Sequence, residues 1–375
     1  MIKVRYDIGI QTFWNVPNYG TFAQAYALQK VLQQLNINKS VQQIAHLDQH
    51  HFDFYFNRKA YLRDYPIWKK AFWESFFVKT KEIEQKQKVF MNAYDMIPHT
   101  EIIDATNIAD YKFDKVFLGS DIVWDYTVGA FNNDPLLFGK GFNTQEIDAY
   151  AASFGTVSVD ATLPDYVVNA LKDMKHISVR DDKSAELVRR VTGVRPQVVL
   201  DPTWLWDFNS DCNIIKPKEE DYILVYGQDF TSEFINNLIE YAREHNKRII
   251  ALDCNNDHYT WCDKLISQDQ LSPFQWIGYF KYAAEVATST FHGIMLSLIF
   301  EKNFAFCKTD FIMAKVDKFL QELNLFNLFD KNQNDVYGML DHDFDYSFIN
   351  NIIMHKREVS LEFLRKACSI KDGTK

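Results

Sequence analysis

The chain has 375 residues, 47% hydrophobic and 15% aromatic, with 31 Phe and 19 Tyr; this excludes disorder and exceeds what one core usually supports. A formal net charge of −9 argues against a nucleic-acid binder, whose phosphate-tracking surface is basic, and no nucleic-acid motif is present. Cys212, Cys254, Cys262, Cys307 and Cys368 contain no CxxC pair, the start Met-Ile-Lys-Val-Arg lacks a signal-peptide apolar core, and no apolar run could span a bilayer, so a reducing cytoplasm is expected.

In chain order, short apolar runs alternate with helical patterns. Tyr6 to Phe13 precedes a helix from Phe22 to Leu35, and Val116 to Gly119 is the next strand. Ala149 to Phe154, a helix from Leu163 to Lys172, His176 to Val179, a helix from Lys183 to Val191, and Val198 to Leu200 complete a first series. Alternation of this kind predicts an α/β domain with a parallel sheet.

Residues 58–92 interrupt that series with helical patterns rich in Phe, Trp and Lys, within an insert of about 50–95. Nine Lys or Arg oppose four acidic residues between 57 and 90, a local excess of five positive charges. Trp68, Phe72, Trp73, Phe76 and Phe77 recur at helical spacing, which is an ordinary packed face or a basic aromatic surface for peripheral membrane contact.

Prolines and charges break the pattern between residues 202 and 220, where a hinge is expected. A second series follows: Tyr222 to Tyr226, a helix from Ser232 to His245, Arg248 to Leu252, Glu285 to Thr288, a helix from Gly293, and Asn303 to Phe306. The expected domains are 1–205, rejoined by a C-terminal helix at 346–370, and 206–345.

The segment Ala287-Thr-Ser-Thr-Phe-His-Gly-Ile-Met-Leu-Ser-Leu-Ile-Phe300 puts His292 where a strand stops and a helix starts. The first N–H groups of a helix and its positive dipole end suit an anion, and Gly293 would let a ligand approach the backbone. An N-cap by Thr288, Ser289 or Thr290 accounts for the same residues. Gly9 to Leu32, with Asn18-Tyr19-Gly20, repeats the strand, turn and helix arrangement.

Arg180 follows a short strand, so its fork could grip a phosphate or carboxylate, or pair locally with Asp181 or Asp182. Asp121, in Gly119-Ser-Asp, lies past a strand C-terminus, where open α/β sheets place ligands; it is a base for an acceptor hydroxyl or a turn cap. Ser120 and Trp124 divide between loop structure and sugar contact. Cys254-x3-His258-x3-Cys262 lacks a fourth ligand, so no metal is expected, and no GxGxxG or GxxxxGK[ST] supports a bound nucleotide.

Several segments together resemble the polysaccharide pyruvyl transferase family: Gly9 to Leu32, Val116-Phe-Leu-Gly-Ser-Asp-Ile-Val-Trp124, Tyr150-Ala-Ala-Ser-Phe-Gly155, Ser178-Val-Arg-Asp-Asp-Lys-Ser184, Val198-Val-Leu-Asp-Pro-Thr203 and Thr288 to Phe304. The resemblance implies two Rossmann-like domains facing across a cleft, as in GT-B glycosyltransferases. It implies phosphoenolpyruvate as donor substrate, no cofactor, and a glycan or lipid-linked saccharide acceptor, with a pyruvate ketal as product.

On that resemblance His292 and Asp121 are the catalytic candidates. Arg180, Thr290, His292, Gly293 and Lys315 are the donor-binding set, and Asn18, Tyr19, Gly20, Ser120 and Trp124 line the acceptor side. Some relatives carry an arginine two residues before the histidine, where this chain has Thr290; Lys315 stands where relatives often have an arginine. A nucleotide-sugar glycosyltransferase and an idle glycan-binding relative are the alternative functions.

Overall fold

The computed structural model describes residues 2–46, 49–56, 80–104, 106–129, 134–254 and 259–369. Trp68, Phe72, Trp73, Phe76 and Phe77, and likewise His258, lie outside the described residues. The chain divides into two compact units: residues 1–206 with 356–375, and residues 207–355.

In the first unit, β1 (Val4–Gln11) leads into α1 (Tyr19–Leu35), then β2 (Val41–Gln43), α2 (Gln49–Phe56) and α3 (Thr80–Tyr94). There follow β3 (Tyr111–Leu118), β4 (Asn143–Thr144), β5 (Ile147–Ala152), α4 (Asp165–Asp173), β6 (His176–Val179), α5 (Asp182–Thr192) and β7 (Gln197–Val198). The strands pair in parallel in the order β2-β1-β3-β5-β6-β7, with β4 on β3.

Both sheet faces are buried, which is why these strands read as continuous apolar runs. Successive β3 residues go to opposite sides: Val116 and Leu118 join one core, and Phe117 joins the other with Ile8, Ile10 and Leu28. Phe363 and Leu364, from the end of the C-terminal helix, close that second core.

The chain leaves β1 for β2 on one side and returns to β3 on the other, so the sheet has its topological switch point between the C-terminal ends of β1 and β3. Open parallel sheets form their ligand crevices at such points.

The second unit repeats this plan. It contains β8 (Tyr222–Tyr226), α6 (Ser232–Glu244), β9 (Arg248–Leu252), β10 (Lys264–Ile266), α7 (Pro273–Tyr282), β11 (Glu285–Thr288), α8 (Phe291–Ile299) and β12 (Asn303–Phe306). After these come α9 (Asp310–Glu322), α10 (Phe326–Asp330), α11 (Val336–Leu340) and α12 (Tyr346–Ala367), within which the division between the units falls. Strand order is β10-β9-β8-β11-β12, all parallel, so the switch point lies between β8 and β11. The expectation of two Rossmann-like α/β domains holds for each unit taken by itself.

Strands β6, β8, β9, β11 and β12 have the expected limits, whereas α8 begins two residues earlier than Gly293, at Phe291. Strand β10 and helix α7 were not expected from the sequence. Among the described residues, no helix is long and apolar enough to cross a membrane.

Candidate functional site

At the switch point of the first unit, four chain segments meet on Asp121. Its backbone is left-handed, φ 78°, a conformation that a non-glycine residue adopts at a cost. Gly119 permits the approach: a Cβ there would lie 2.4 Å from the Tyr150 carbonyl oxygen, and its own φ is +102°. Ser120 is fully buried; its Oγ accepts from the Asp121 N–H at 2.6 Å, and its carbonyl accepts from the Thr12 hydroxyl at 3.1 Å.

The Asp121 carboxylate has two partners on one side. Thr21 donates its hydroxyl to Oδ2 at 2.8 Å and the Ile122 N–H donates to Oδ1 at 2.8 Å. Thr21 lies in the first turn of α1, so the positive helix end faces the carboxylate. Gln24 ties this turn together by donating to the Thr12 hydroxyl and the Thr21 carbonyl.

Arg180 does not pair with its chain neighbours. Its Nη1 donates to Asp201 Oδ2 at 2.9 Å, and its Nη2 stands 3.6 Å from Asp121 Oδ1. Asp181 caps α5 through Ser184, and Asp182 pairs with Arg195. Burial pulls the guanidinium's pKa down, but the Asp121 and Asp201 carboxylates outweigh it and leave it raised. Among the described residues, the Arg180 guanidinium thus stands between the Asp121 and Asp201 carboxylates. That arrangement lets Arg180 orient the Asp121 carboxylate.

Two tyrosines join from the helices above. Burial first, and then the Asp121 charge, push the Tyr55 hydroxyl of α2 up to about 12; the same two causes, with Tyr55 as a further contributor, outweigh a bond to Val16 and raise the Tyr94 hydroxyl of α3. Both stay protonated at neutral pH.

Other residues expected on the acceptor side have structural duties. Asn18 is the N-cap of α1, accepting from Thr21 N, while Tyr19 is 2% exposed and packs on Phe90. Gly20 is buried in the same turn. Trp124 is 0% exposed between Phe138 and Phe154, so it is a core residue and not a platform for a sugar.

The second unit's switch point carries the His292 segment. Thr290 is the N-cap of α8: its Oγ1 accepts from the Gly293 N–H at 3.0 Å. Thr288 donates its hydroxyl to the Tyr226 carbonyl at 2.6 Å, so the 3.1 Å contact between the two threonine hydroxyls uses the Thr290 proton. The Thr290 hydroxyl is therefore committed to the turn, which argues against the donor contact expected of it.

Ser289 clamps the turn to the loop after β8, donating to the Gln228 carbonyl and accepting from its N–H. Gly293 has an internal reason to be glycine. A Cβ there would meet Thr288 Oγ1 at 2.0 Å and Thr290 Oγ1 at 2.7 Å, so the threonines rather than a ligand occupy that space.

His292 is the second residue of α8, half-buried, with its ring edge-on to Phe291 at 5.1 Å. It brings a partly exposed imidazole to this turn, a group that can donate or accept a hydrogen bond. Lys315 is exposed within α9, which starts at Asp310 under a Thr309 cap.

Among the described residues, Glu146, Asp148 and His176 lie close enough to share a cation, but Lys115 already bridges Glu146 and Asp148, and Lys175 pairs with Glu146. The participation of Thr21, Tyr55 and Asp201 at the Asp121 cluster was missed from sequence. Only Asp201 had a visible signal, as the acid of Asp-Pro-Thr.

Residues 18–310 match the family model for polysaccharide pyruvyl transferase. No curated protein matches the chain. Among solved structures, the chain is similar to UDP-GlcNAc 2-epimerase from Methanocaldococcus jannaschii, at 12% identity over 94% of this chain and 99% of that one, TM-score 0.48. It is also similar to the glycosyltransferase SnogD from Streptomyces nogalater, at 9% identity over 99% of each chain, TM-score 0.46. E. coli heptosyltransferase WaaC with ADP is a third, at 9% identity over 81% of this chain and 86% of that one, TM-score 0.38.

Proposed function

The chain belongs to the polysaccharide pyruvyl transferase family, and on that premise we propose that it moves the pyruvate group of phosphoenolpyruvate onto sugar hydroxyls of a surface polysaccharide or glycan precursor. The product is a pyruvate ketal and phosphate is released. The observation that supports this reading most is the Asp121 cluster: a carboxylate at the β1/β3 switch point, fixed by Thr21 and Arg180.

In this reading Asp121 takes the proton of the attacking sugar hydroxyl. The donor's methylene carbon gains a proton from solvent, which the proton taken up by Asp121 later replaces, and becomes a methyl group; C2 turns electrophilic, and the sugar oxygen bonds to it. The C2–O bond to phosphate breaks, and the second hydroxyl closes the ketal as its proton leaves with phosphate. Within the second unit, the positive end of α8 beside His292 suits an anion such as a phosphate or carboxylate. Arg180 supports this step through its hold on Asp121.

The test is phosphate release from phosphoenolpyruvate with a panel of glycans bearing free hydroxyl pairs, with the ketal methyl identified by NMR. Transfer from a nucleotide sugar, with none from phosphoenolpyruvate, would replace this reading by a glycosyltransferase.

A further inference from the structure

Tyr241 of α6 is 2% exposed, and its hydroxyl oxygen stands 2.9 Å from Glu285 Oε1, at the start of β11, and 3.0 Å from Asp341 Oδ1, just past α11. A phenol has one proton to give, yet two carboxylates reach it. The backbone holds Asp341 in this position. Asn303 of β12, paired in register with Glu285, donates its amide to the Leu340 carbonyl at 2.8 Å and to the His342 carbonyl at 3.1 Å, one on each side of Asp341. The Asp341 N–H donates to the Tyr337 carbonyl at 2.9 Å.

The two carboxylates differ in their surroundings. Asp341 is exposed, whereas Glu285 is half-buried and its Oε2 is buried with no hydrogen-bond partner among the described residues. An ionised oxygen without a donor is costly to bury, so the second proton that this cluster needs belongs on Glu285. Protonated Glu285 then donates to the Tyr241 oxygen, and Tyr241 donates to Asp341. We propose that Glu285, Tyr241 and Asp341 form a proton-dependent latch that fastens the end of α11 to α6 and β11 while Glu285 carries a proton, and loosens it when Glu285 ionises.

The charged and titratable groups around Glu285 are Tyr241 and His245 from α6, Lys247 ahead of β9, and Asp341 with Tyr337 from the α11 end. Burial above all raises the Glu285 pKa above its ordinary value; the Tyr241 bond, Lys247 and His245 oppose this, and the Asp341 charge adds to it. Lys247 is bonded to Asp221, and the Tyr337 hydroxyl donates to Glu244. Burial first, and then Glu285 and Asp341, raise the Tyr241 hydroxyl, which stays protonated throughout. The folded chain therefore holds the Glu285 proton more tightly than the unfolded chain. The latch is complete below the ordinary value of 4.5 and is lost as pH rises through the raised folded value.

The experiment is a carbon-13 NMR titration of the Glu285 carboxyl in the full chain, comparing wild type with Asp341→Asn. The new amide removes the competing charge and donates to the Tyr241 oxygen, which releases the phenol proton to an ionised Glu285. A downward shift of roughly half a unit or more is expected, and an unmoved or raised midpoint overturns the proposal. Glu285→Gln supplies a second reading, since its amide mimics the protonated acid at every pH. Hydrogen-exchange protection of the Asp341 amide, corrected for the intrinsic effect of pH, should fall in wild type as Glu285 ionises and stay level in Glu285→Gln. Parallel profiles in the two proteins overturn the proposal. No substrate enters either measurement, so this latch and the proposed function stand or fall separately.

Discussion

The Thr21 hydroxyl bonds the Asp121 carboxylate at 2.8 Å, joining the head of α1 to the turn after β3 across a hundred residues of sequence. Thr21 is buried, and its N–H is already used by the Asn18 cap, so the hydroxyl is specific to the carboxylate. Replacing Thr21 by Val keeps the shape and removes the donor. A hydrogen bond to a charged group contributes about 1.5–3 kcal/mol, so turnover should fall roughly 10- to 100-fold. Steady-state kinetics alongside an unchanged circular dichroism spectrum would check this; unaltered turnover would detach Thr21 from the chemistry.

His292→Ala should lower turnover by about 100-fold or more, the range for loss of a positioned acid, base or charge-stabilising donor. The N-cap of α8 belongs to Thr290 and survives the change, so melting temperature should hold. Near-normal turnover in a folded variant would leave His292 without a catalytic part.

Gly293→Ala tests the packing of the same turn. The added Cβ would lie 2.0 Å from a Thr288 hydroxyl that is bonded to the β8 backbone, so the turn must open. Alanine is the better helix former, yet a loss of about 1–3 kcal/mol is expected from the overlap. Thermal or urea unfolding measures it, and a stabilised variant would show the turn to be pliable.

His51 gives the stability a defined pH window. Burial above all lowers its pKa from 6.5 to about 4; the nearby Asp134 charge opposes this, while His46 and His50 reinforce it. The unfolded chain binds the proton first as pH drops, so stability is complete above 6.5 and declines as pH falls toward about 4. The loss is roughly 3 kcal/mol at about 1.4 kcal/mol per unit. His51→Phe should flatten urea-unfolding stability across that window, and an unchanged slope would show that other groups cause it.

The strands were legible where a run of apolar residues meets a charge, as at Tyr222–Tyr226 and Arg248–Leu252, because both sheet faces are covered. Helix α7 was hidden by being buried on nearly every side, so it lacks a polar stripe; its Ser272–Gln275 capping box was the readable signal. Trp124 shows the limit for site residues, since an aromatic beside Ser-Asp looks the same whether it faces a sugar or fills the core. Asp201 stands just before the hinge expected at residues 202–220, and its pairing with Arg180 exists only in three dimensions.

The central claim concerns the donor. Titrating the purified protein by calorimetry with phosphoenolpyruvate, and separately with a nucleotide sugar such as UDP-GlcNAc, addresses it without knowledge of the acceptor. Saturable one-to-one binding of phosphoenolpyruvate, weakened in the His292→Ala variant, and no binding of the nucleotide sugar is the predicted result. Binding of the nucleotide sugar with none of phosphoenolpyruvate would contradict it.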